Sequence, residues 1–363
     1  MPTERAHGVQ VAKTCEALGK AGEKVELIIP RTFNHITEDL FDYYGVDRVF
    51  TVRAISSFDW RRLGHFGFML QRLYFAVVSV LYVLVKKFDA IYSREILVCA
   101  YASIFKRNVV FEDHEPPRSK LSSYFILLKF IPKKVIVARN LSSLYKKHNI
   151  KNYIIAPNAV AVEEFDRTKS DRGVWRSFGI SDSTPVVLYV GHFYKWKGIY
   201  TLLDSAKMLR NASVVLIGGT VENIDAVQKY VEDHNHTNVY LKKFVSRKEI
   251  TKYTKSADVL VLPNTAKEER SKLYTTPIKL FEYMASSVPI VASNLPSFKE
   301  YLRDNENCLL FKPDNSESLA EKVSHILSNK DLGVRLSKKA YGEVKEHTWE
   351  MRAKRILKFI YDH

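Results

Sequence analysis

Short apolar runs alternate with longer amphipathic stretches along almost the whole chain. Runs rich in Val, Ile and Leu are typical of strands in a parallel sheet whose two faces are both covered. In the first half of the chain, such runs predict strands at 25–29, 48–52, 90–92, 108–111, 135–137 and 153–155. One intervening helix would carry Val11, Cys15 and Leu18 on its apolar face and would end at Gly22.

The second half repeats this rhythm more regularly, with predicted strands at 186–190, 214–217, 239–241, 259–262, 289–292 and 308–311. Strands that alternate with helices predict an α/β fold, here with two Rossmann-like parallel-sheet domains. We place an N-terminal domain at 1–160 and a C-terminal domain at 161–345, because the polar stretch 157–172 is the natural joint. The chain opens on a loop and helix, MPTERAHG, so the first strand of the N-terminal sheet is expected to be missing.

Composition narrows the class of protein. The 363 residues suit two domains, and 46% hydrophobic with 26% charged residues is a globular profile. Three widely spaced cysteines, Cys15, Cys99 and Cys308, exclude a disulfide scaffold or a cysteine-rich zinc module. They suit a reducing compartment, and the opening residues lack the apolar core of a secretory signal, so we expect a cytoplasmic protein.

Positive charge is concentrated in one part of the chain. The formal net charge is +16, and residues 61–151 hold 17 Lys and Arg against 5 Asp and Glu. This excess predicts an anionic partner, or else a solvated face that keeps the protein soluble. Nucleic acid is not expected, because the segment has no nucleic-acid-binding signature.

The same segment combines basic residues with the apolar stretch 66–85. This combination suits an interfacial helix on an anionic membrane, and therefore a peripheral position at the cytoplasmic membrane face. The alternative is a long helix buried in the N-terminal domain, and this is the interpretation that we favour for residues 75–85.

The loops that follow strands are the candidate sites, since ligands of parallel sheets bind beyond the carboxyl ends of the strands. The first is GHFYKWKG at 191–198. Gly191 and Gly198 allow close backbone approach, and His192 and Lys197 can supply positive charge next to a helix N-terminus. The loop fits a diphosphate, although an ordinary connecting loop would carry the same features.

The second candidate is KLYTTPIKLFEYMA at 272–285. Thr276 is the predicted N-cap and Pro277 the first helical residue, so free amides would face an anion. Glu282 could accept hydrogen bonds from two neighbouring hydroxyls, such as those of a ribose. The alternative is a capped helix with an exposed glutamate, but both loops fall on the same edge of one predicted sheet, which favours a site.

Two weaker candidates lie in the first half. FEDHEPP at 111–117 places His114 and three carboxylates at a strand end, where the histidine could touch a group being transferred. Its spacing gives no set of metal ligands, so we predict no metal. At the first helix, His7 and Gly8 could let a phosphate or an acceptor approach the backbone. Ordinary solvated loops would explain both segments as well.

In combination these motifs resemble the retaining glycosyltransferases of family 4, of the glycosyl transferases group 1, which have the GT-B fold. The resemblance runs nearly from end to end and rests on HGVQVAKTCEAL, FEDHEPP, PNAV, YVGHFYKWKG, VVLIGG, SADVLVLPN and TTPIKLFEYMASSVPIVAS. It implies two Rossmann-like domains that face each other across a cleft, with a last helix at 346–363 that packs back on the N-terminal domain. It further implies transfer of a sugar from a nucleotide-diphosphate sugar to a glycan or lipid-linked acceptor, with no metal or other cofactor.

The resemblance also implies roles by position. The donor site would consist of Gly191, His192, Lys197, Phe244, Val245, Thr275, Thr276, Pro277, Ile278 and Glu282. Within it, Lys197 would neutralise the diphosphate and Glu282 would hold the ribose, while the backbone at 244–245 would contact the base. His114 would approach the transferred sugar, so that Lys197, His114 and Glu282 are the expected catalytic residues.

Three positions depart from the family pattern. His192 replaces an arginine and contributes less charge when it is neutral. Tyr274 replaces a glutamate that contacts the donor sugar, and Lys243 replaces a glycine. Two alternatives therefore stay open beside a transferase: a GT-B nucleotide-sugar epimerase, and a non-catalytic nucleotide-sugar-binding subunit.

Overall fold

The computed structural model describes residues 1–31, 36–56, 64–116, 122–243 and 245–362. The chain divides into two compact units. The first comprises Met1–Asn158 and Trp349–His363, and the second comprises Ala159–Thr348. All pairings between the described strands are parallel.

The described strands of the first unit form two separate sheets. One sheet pairs β1 (Glu26–Pro30) with β2 (Thr51–Ile55). The other has the order β3-β4-β5-β6, with β3 (Ile91–Ser93), β4 (Val109–Asp113), β5 (Lys133–Ile136) and β6 (Tyr153–Ile155). Residues 1–5 form no strand, and no described strand joins the two sheets.

Helices alternate with these strands, as the sequence pattern predicts. They are α1 (Ala6–Lys20), α2 (Leu40–Tyr44), α3 (Gly64–Lys86), α4 (Ile96–Phe105), α5 (Ser122–Phe130) and α6 (Leu141–Lys147). Every residue of β4 is buried, since helices cover the sheet on which it lies. Its last two residues, Glu112 and Asp113, are carboxylates, and their burial needs hydrogen-bond partners.

The second unit holds one six-stranded sheet. Its strands are β7 (Val186–Val190), β8 (Ser213–Ile217), β9 (Val239–Lys242), β10 (Val259–Leu262), β11 (Ile290–Ser293) and β12 (Leu309–Phe311). The order is β12-β11-β10-β7-β8-β9, so the direction of strand addition reverses between β7 and β10. In open α/β sheets this reversal creates the crevice where ligands bind.

Both faces of this sheet carry a hydrophobic core. Alternate residues of β7 enter different clusters: Leu188 packs in one, and Val187 and Tyr189 pack in the other. The covering helices are α7 (Val162–Arg167), α8 (Ile199–Ala206), α9 (Val221–Asp233), α10 (Arg247–Ser256), α11 (Ile278–Ala285), α12 (Ser316–Ser328) and α13 (Lys330–Val344). The continuous apolar strands of the sequence are therefore explained by burial on both sides.

The last helix, α14 (Trp349–Tyr361), belongs to the first unit and packs on α1. Arg352 anchors it, because its guanidinium pairs with the buried Glu112 carboxylate at 2.7 Å. The same side chain donates to the Pro157 carbonyl at 2.9 Å and to the Thr14 hydroxyl at 3.1 Å.

Two sequence-based interpretations are corrected in the first unit. The strand expected at 48–52 begins at Thr51, because Arg48 is engaged with the carboxylates of Asp39 and Asp42 and pairing starts at Thr51 opposite Glu26. The preference for a buried helix at 75–85 is wrong. Only one face of α3 packs on the protein, and Val77, Leu81 and Val85 are exposed.

Candidate functional site

The loop at 191–198 leaves the carboxyl end of β7, beside the reversal of strand order. It turns through a short 3-10 helix, Lys195–Lys197, and α8 starts directly after Gly198. Gly198 has φ +70, and a Cβ there would lie 1.9 Å from the Pro263 carbonyl oxygen. Only glycine allows this contact, which presses the loop against the residues after β10.

A ring contact joins this loop to the second sequence motif. The Lys197 ammonium lies 4.2 Å from the centre of the Trp196 ring, and the Arg270 guanidinium lies 4.6 Å from the same centre. Arg270 opens a π-helical turn, Arg270–Tyr274, that precedes α11. Two cations from separate loops therefore share one aromatic ring.

The proximity of these cations affects the acidity of Lys197. Burial, and then repulsion from Arg270, lower the pKa of the Lys197 ammonium to about 7. An anion bound here would favour the protonated form and raise that pKa. The neighbouring Lys197 and Arg270 side chains would therefore be stabilised by a bound anion.

The start of α11 differs by one residue from the prediction. Pro277 is the N-cap, with ψ 145, and Ile278 is the first helical residue, so Thr276 does not cap the helix. A residue before proline avoids the helical region, which keeps Thr276 outside the helix. Thr275 donates from its hydroxyl to the Arg270 carbonyl at 2.9 Å, which ties the π-helical turn to the start of α11.

A second contact ties α11 to β7. The Val190 amide at the end of β7 donates to the Tyr283 hydroxyl at 2.8 Å. Two contacts thus join these segments. Tyr283 of α11 bonds to the end of β7, and Arg270, before α11, contacts the Trp196 ring in the loop that follows β7. The two predicted donor-binding segments are brought together in the second unit.

Glu282 is buried on α11 and not an exposed surface glutamate. One carboxylate oxygen lies 3.2 Å from the Arg247 guanidinium, and the other pairs with the Lys279 ammonium. Burial alone would raise the pKa of Glu282, but Lys279 and Arg247 outweigh it and hold that pKa below its usual range. The carboxylate is therefore ionised at neutral pH.

Arg247 is a site residue that the sequence analysis missed. It is the first residue of α10, whose start is fixed by a capping box between Ser246 and Glu249. Its guanidinium also pairs with Glu164 at 3.2 Å. The capping pattern was visible in the sequence, but nothing in it indicated that Arg247 would meet a carboxylate 35 residues later.

The other positions discussed for the donor site lie directly after β9, at 243–245, and before α11, at Tyr274. Val245 is buried in the core, and Phe244 lies outside the described residues. Lys243 is exposed. Tyr274 is buried, and its hydroxyl donates to Glu269 at 3.3 Å.

In the first unit, His114 belongs to a buried polar cluster around Glu112. The Glu112 carboxylate accepts hydrogen bonds from Tyr92, Gln10, His114 and Arg352. Burial would raise the pKa of Glu112, but Arg352 and then His114 hold it well below its usual range. Burial, and then Arg94, lower the pKa of His114 to about 4, so its ring is neutral at pH 7.

His7 and Gly8 lie in the first turn of α1, in the same unit. His7 is exposed, whereas Gly8 is buried. A Cβ at Gly8 would lie 2.1 Å from the Tyr44 hydroxyl oxygen. A side chain at this position would therefore displace Tyr44, a packing reason for glycine that the sequence did not reveal. Among the described residues, no group of three or more His, Cys, Asp and Glu could hold a metal ion.

Residues 175–343 match the family model of the glycosyl transferases group 1. The chain is also 28% identical over 189 residues to a Campylobacter jejuni protein, the N,N'-diacetylbacillosaminyl-diphospho-undecaprenol alpha-1,3-N-acetylgalactosaminyltransferase. That match covers 52% of this chain and 47% of the relative. The chain spans about half the length of the curated relatives it matches.

Two solved structures show the same fold. Sucrose-phosphate synthase from Thermosynechococcus elongatus has a TM-score of 0.79 at 16% identity, with coverage of 96% of this chain and 91% of the other. Anabaena Alr3699/HepE in complex with UDP and glucose has a TM-score of 0.79 at 14% identity, with coverage of 99% and 98%. The chain has the GT-B fold of the glycosyltransferases, with two Rossmann-like units. The match to the glycosyl transferases group 1 model lies within the second unit, at residues 175–343.

Proposed function

We propose that the chain is a retaining glycosyltransferase of family 4, which moves a sugar from a nucleotide-diphosphate sugar to a glycan or lipid-linked acceptor. The observation that carries this proposal is the contact of Lys197 and Arg270 with the ring of Trp196. It joins the loop after β7 to the segment that leads into α11. Two cations and a helix N-terminus in one place suit a diphosphate.

The proposed reaction exchanges two bonds at C1 of the sugar. The bond from C1 to the diphosphate oxygen breaks, and the acceptor hydroxyl oxygen bonds to C1 on the same face. The acceptor proton passes to an oxygen of the departing diphosphate, and a nucleoside diphosphate leaves. Negative charge grows on the diphosphate, so Lys197, His192 when protonated, and the first amides of α11 would lower the barrier.

Glu282 is suited to hold the ribose of the donor. Its two carboxylate oxygens are already oriented by Arg247 and Lys279. A carboxylate has about four acceptor positions, so each oxygen can still accept a ribose hydroxyl. The backbone of Val245 is the proposed contact for the base.

His114 is suited to bind a hydroxyl of the transferred sugar. Because Glu112 is ionised, the neutral His114 ring must donate its Nε2 proton to that carboxylate. Its Nδ1 atom is then a hydrogen-bond acceptor. A neutral ring of this kind orients a sugar hydroxyl and carries no charge of its own.

The choice of substrates for a first test comes from similar proteins. The Anabaena structure holds UDP and glucose, and the name of the C. jejuni relative includes a sugar on diphospho-undecaprenol. UDP-sugars and polyprenyl-diphosphate-linked sugars are therefore the first donors and acceptors to use.

The proposal is tested by a donor panel followed by a product assay. UDP-, GDP- and ADP-sugars are screened for an increase in melting temperature, because a ligand of the native state stabilises it. The donor that binds is then incubated with soluble and lipid-linked acceptors. We expect a free nucleoside diphosphate and a glycoside with the anomeric configuration of the donor. An epimerised nucleotide sugar, or binding without turnover on every acceptor, would contradict the proposal.

A further inference from the structure

An apolar stripe runs along the exposed side of α3. Its residues are Phe66, Met69, Leu73, Val77, Leu81 and Val85, all of them exposed. Steps of three or four residues place them on one helix face. Arg72 is the one charged residue between Phe66 and Val85, and it is paired with Glu95 at 2.6 Å.

Two neighbouring helices extend this stripe. α3 packs against α4, and α4 packs against α5. Exposed apolar residues end both helices: Ile104 and Phe105 on α4, and Phe130 on α5. In a parallel sheet with helical crossovers, the helices run antiparallel to the strands that follow them. The carboxyl ends of α3, α4 and α5 therefore lie at one edge of the unit, where β3, β4 and β5 begin.

Basic residues surround the apolar residues at this edge. They are Lys86 at the end of α3 and Lys87 after it, Lys106 and Arg107 after α4, and Lys129 at the end of α5. The Lys106 ammonium donates to the Phe88 carbonyl at 3.2 Å, which holds the ends of α3 and α4 together. Between Gly64 and Phe111 the sequence holds two acids, Asp89 and Glu95, and Glu95 is paired with Arg72. We call the exposed stripe of α3, the ends of α4 and α5 and these basic residues the α3–α5 surface.

We propose that the α3–α5 surface docks on the surface of an anionic lipid bilayer, with α3 lying in the plane of the interface. Apolar side chains would enter the region between headgroups and acyl chains, and the lysines would meet anionic headgroups. This inference does not depend on the donor site, which lies in the second unit.

Charge favours a lipid surface over a second copy of the chain. Two identical copies that meet through this surface would bring their basic edges together, and like charges repel. An anionic bilayer supplies the opposite sign over the whole edge.

Packing also favours a helix in the plane of the interface. By length and composition, α3 is the one helix among the described residues that could cross a membrane. However, Ala76, Val80 and Val83 are buried against the protein, and α3 packs on α4 and β2. A helix fixed along one side in this way presents its other side to a bilayer surface.

Vesicle flotation tests the proposal with the full chain. We expect the protein to float with vesicles of phosphatidylcholine and phosphatidylglycerol at low salt, and to float far less at high salt or with phosphatidylcholine alone. The variant Val77→Asn/Leu81→Asn/Val85→Asn should lose binding. Lys86→Glu/Lys87→Glu should weaken it about tenfold or more.

A matched control removes exposed apolar side chains elsewhere. Met208→Asn/Val334→Asn changes two exposed residues of the second unit and should float like the wild type. For every variant, the donor-induced increase in melting temperature should stay unchanged. This readout separates failure of the membrane proposal from failure of the donor site.

Three results would overturn the proposal. The first is a wild-type protein that does not bind anionic vesicles at low salt. The second is a dimer in solution that the apolar variant dissociates, which would assign the surface to a second copy. The third is a protein that stays in cell membranes through high-salt and alkaline washes, as a spanning helix would.

Discussion

Lys197 changes its protonation within the neutral pH range, since burial and Arg270 lower its pKa to about 7. Below that pH the ammonium is charged, as the proposed contact with a diphosphate requires. Above it, the free protein must first take up a proton, so donor affinity should fall about tenfold per pH unit until the raised pKa of the complex is reached. Calorimetric titration between pH 6 and 9, roughly one unit below to two above that pKa, measures this.

The control keeps the charge at all of these pH values. In Lys197→Arg the pH dependence should disappear, because a guanidinium does not titrate in this range. Lys197→Ala should bind weakly throughout and lose about 100- to 1000-fold in kcat. The same slope in Lys197→Arg, or near-normal turnover in Lys197→Ala, would show that Lys197 does not stabilise the leaving group.

Glu282 should determine donor affinity. Glu282→Gln removes the charged acceptor proposed for the ribose hydroxyls. It also removes the two ion pairs of Glu282 with Arg247 and Lys279. We expect the donor Kd to rise about 10- to 100-fold, with a lower melting temperature. Glu343→Gln is the matched control, because Glu343 also pairs with an arginine in the same unit. An unchanged Kd in Glu282→Gln would rule out the ribose role.

At the level of single residues, the sequence could predict only part of the candidate donor site. Lys197 and Glu282 stand in recognisable loop and helix motifs, so their positions were predictable. Arg247 and Arg270 were not, because their partners are set by tertiary packing. The burial of Glu282 was missed for the same reason.

The turn between β7 and α8 depends on one residue without a side chain. Gly198→Ala would place a Cβ 1.9 Å from the Pro263 oxygen at a left-handed φ, so the loop must move. We expect a loss of about 1–3 kcal/mol in unfolding free energy and a loss of donor binding. Gly342→Ala, on the open side of α13, should instead stabilise the protein by about 0.5–1 kcal/mol. Thermal unfolding with and without donor measures both, and an unchanged Gly198→Ala variant would contradict the role of this contact.

The position of α14 depends on one buried ion pair. Arg352 and Glu112 have side-chain exposures of 3% and 0%. Arg352→Met should leave the Glu112 carboxylate without its main countercharge and cost about 3–5 kcal/mol in urea unfolding. Arg355→Met, on the exposed side of α14, is the control and should change stability little. Equal effects of the two substitutions would contradict the anchor role.

Three strands, β6, β7 and β10, have the limits that were predicted from the sequence. β7 and β10 lie in the centre of a covered sheet and read as unbroken apolar runs, whereas β6 is a half-buried edge strand. The start of α11 was predicted one residue early, because the choice between Thr276 and Pro277 as cap is made by local backbone geometry. For residues 75–85 of α3, a buried helix was preferred over the interfacial alternative, because an apolar run looks the same whether it faces a core or solvent.

At the scale of the whole molecule, the chain passes from one compact unit to the other at two places, close to the domain limits predicted from the sequence. The domain limits predicted from sequence are 160 and 345, and the compact units change at 158 and 348. Val160 pairs with Thr348 in a parallel bridge, which holds the two passages side by side in the second unit. A pairing between residues that far apart leaves no local signal in the sequence.

The central claim is that the loop after β7 and the start of α11 jointly bind a diphosphate. A crystal structure with whichever of UDP, GDP and ADP stabilises the protein most would test it directly. We expect the diphosphate within hydrogen-bond distance of Lys197 Nζ and the first amides of α11, with the ribose on Glu282. A nucleotide bound elsewhere, with these two segments empty, would contradict the claim.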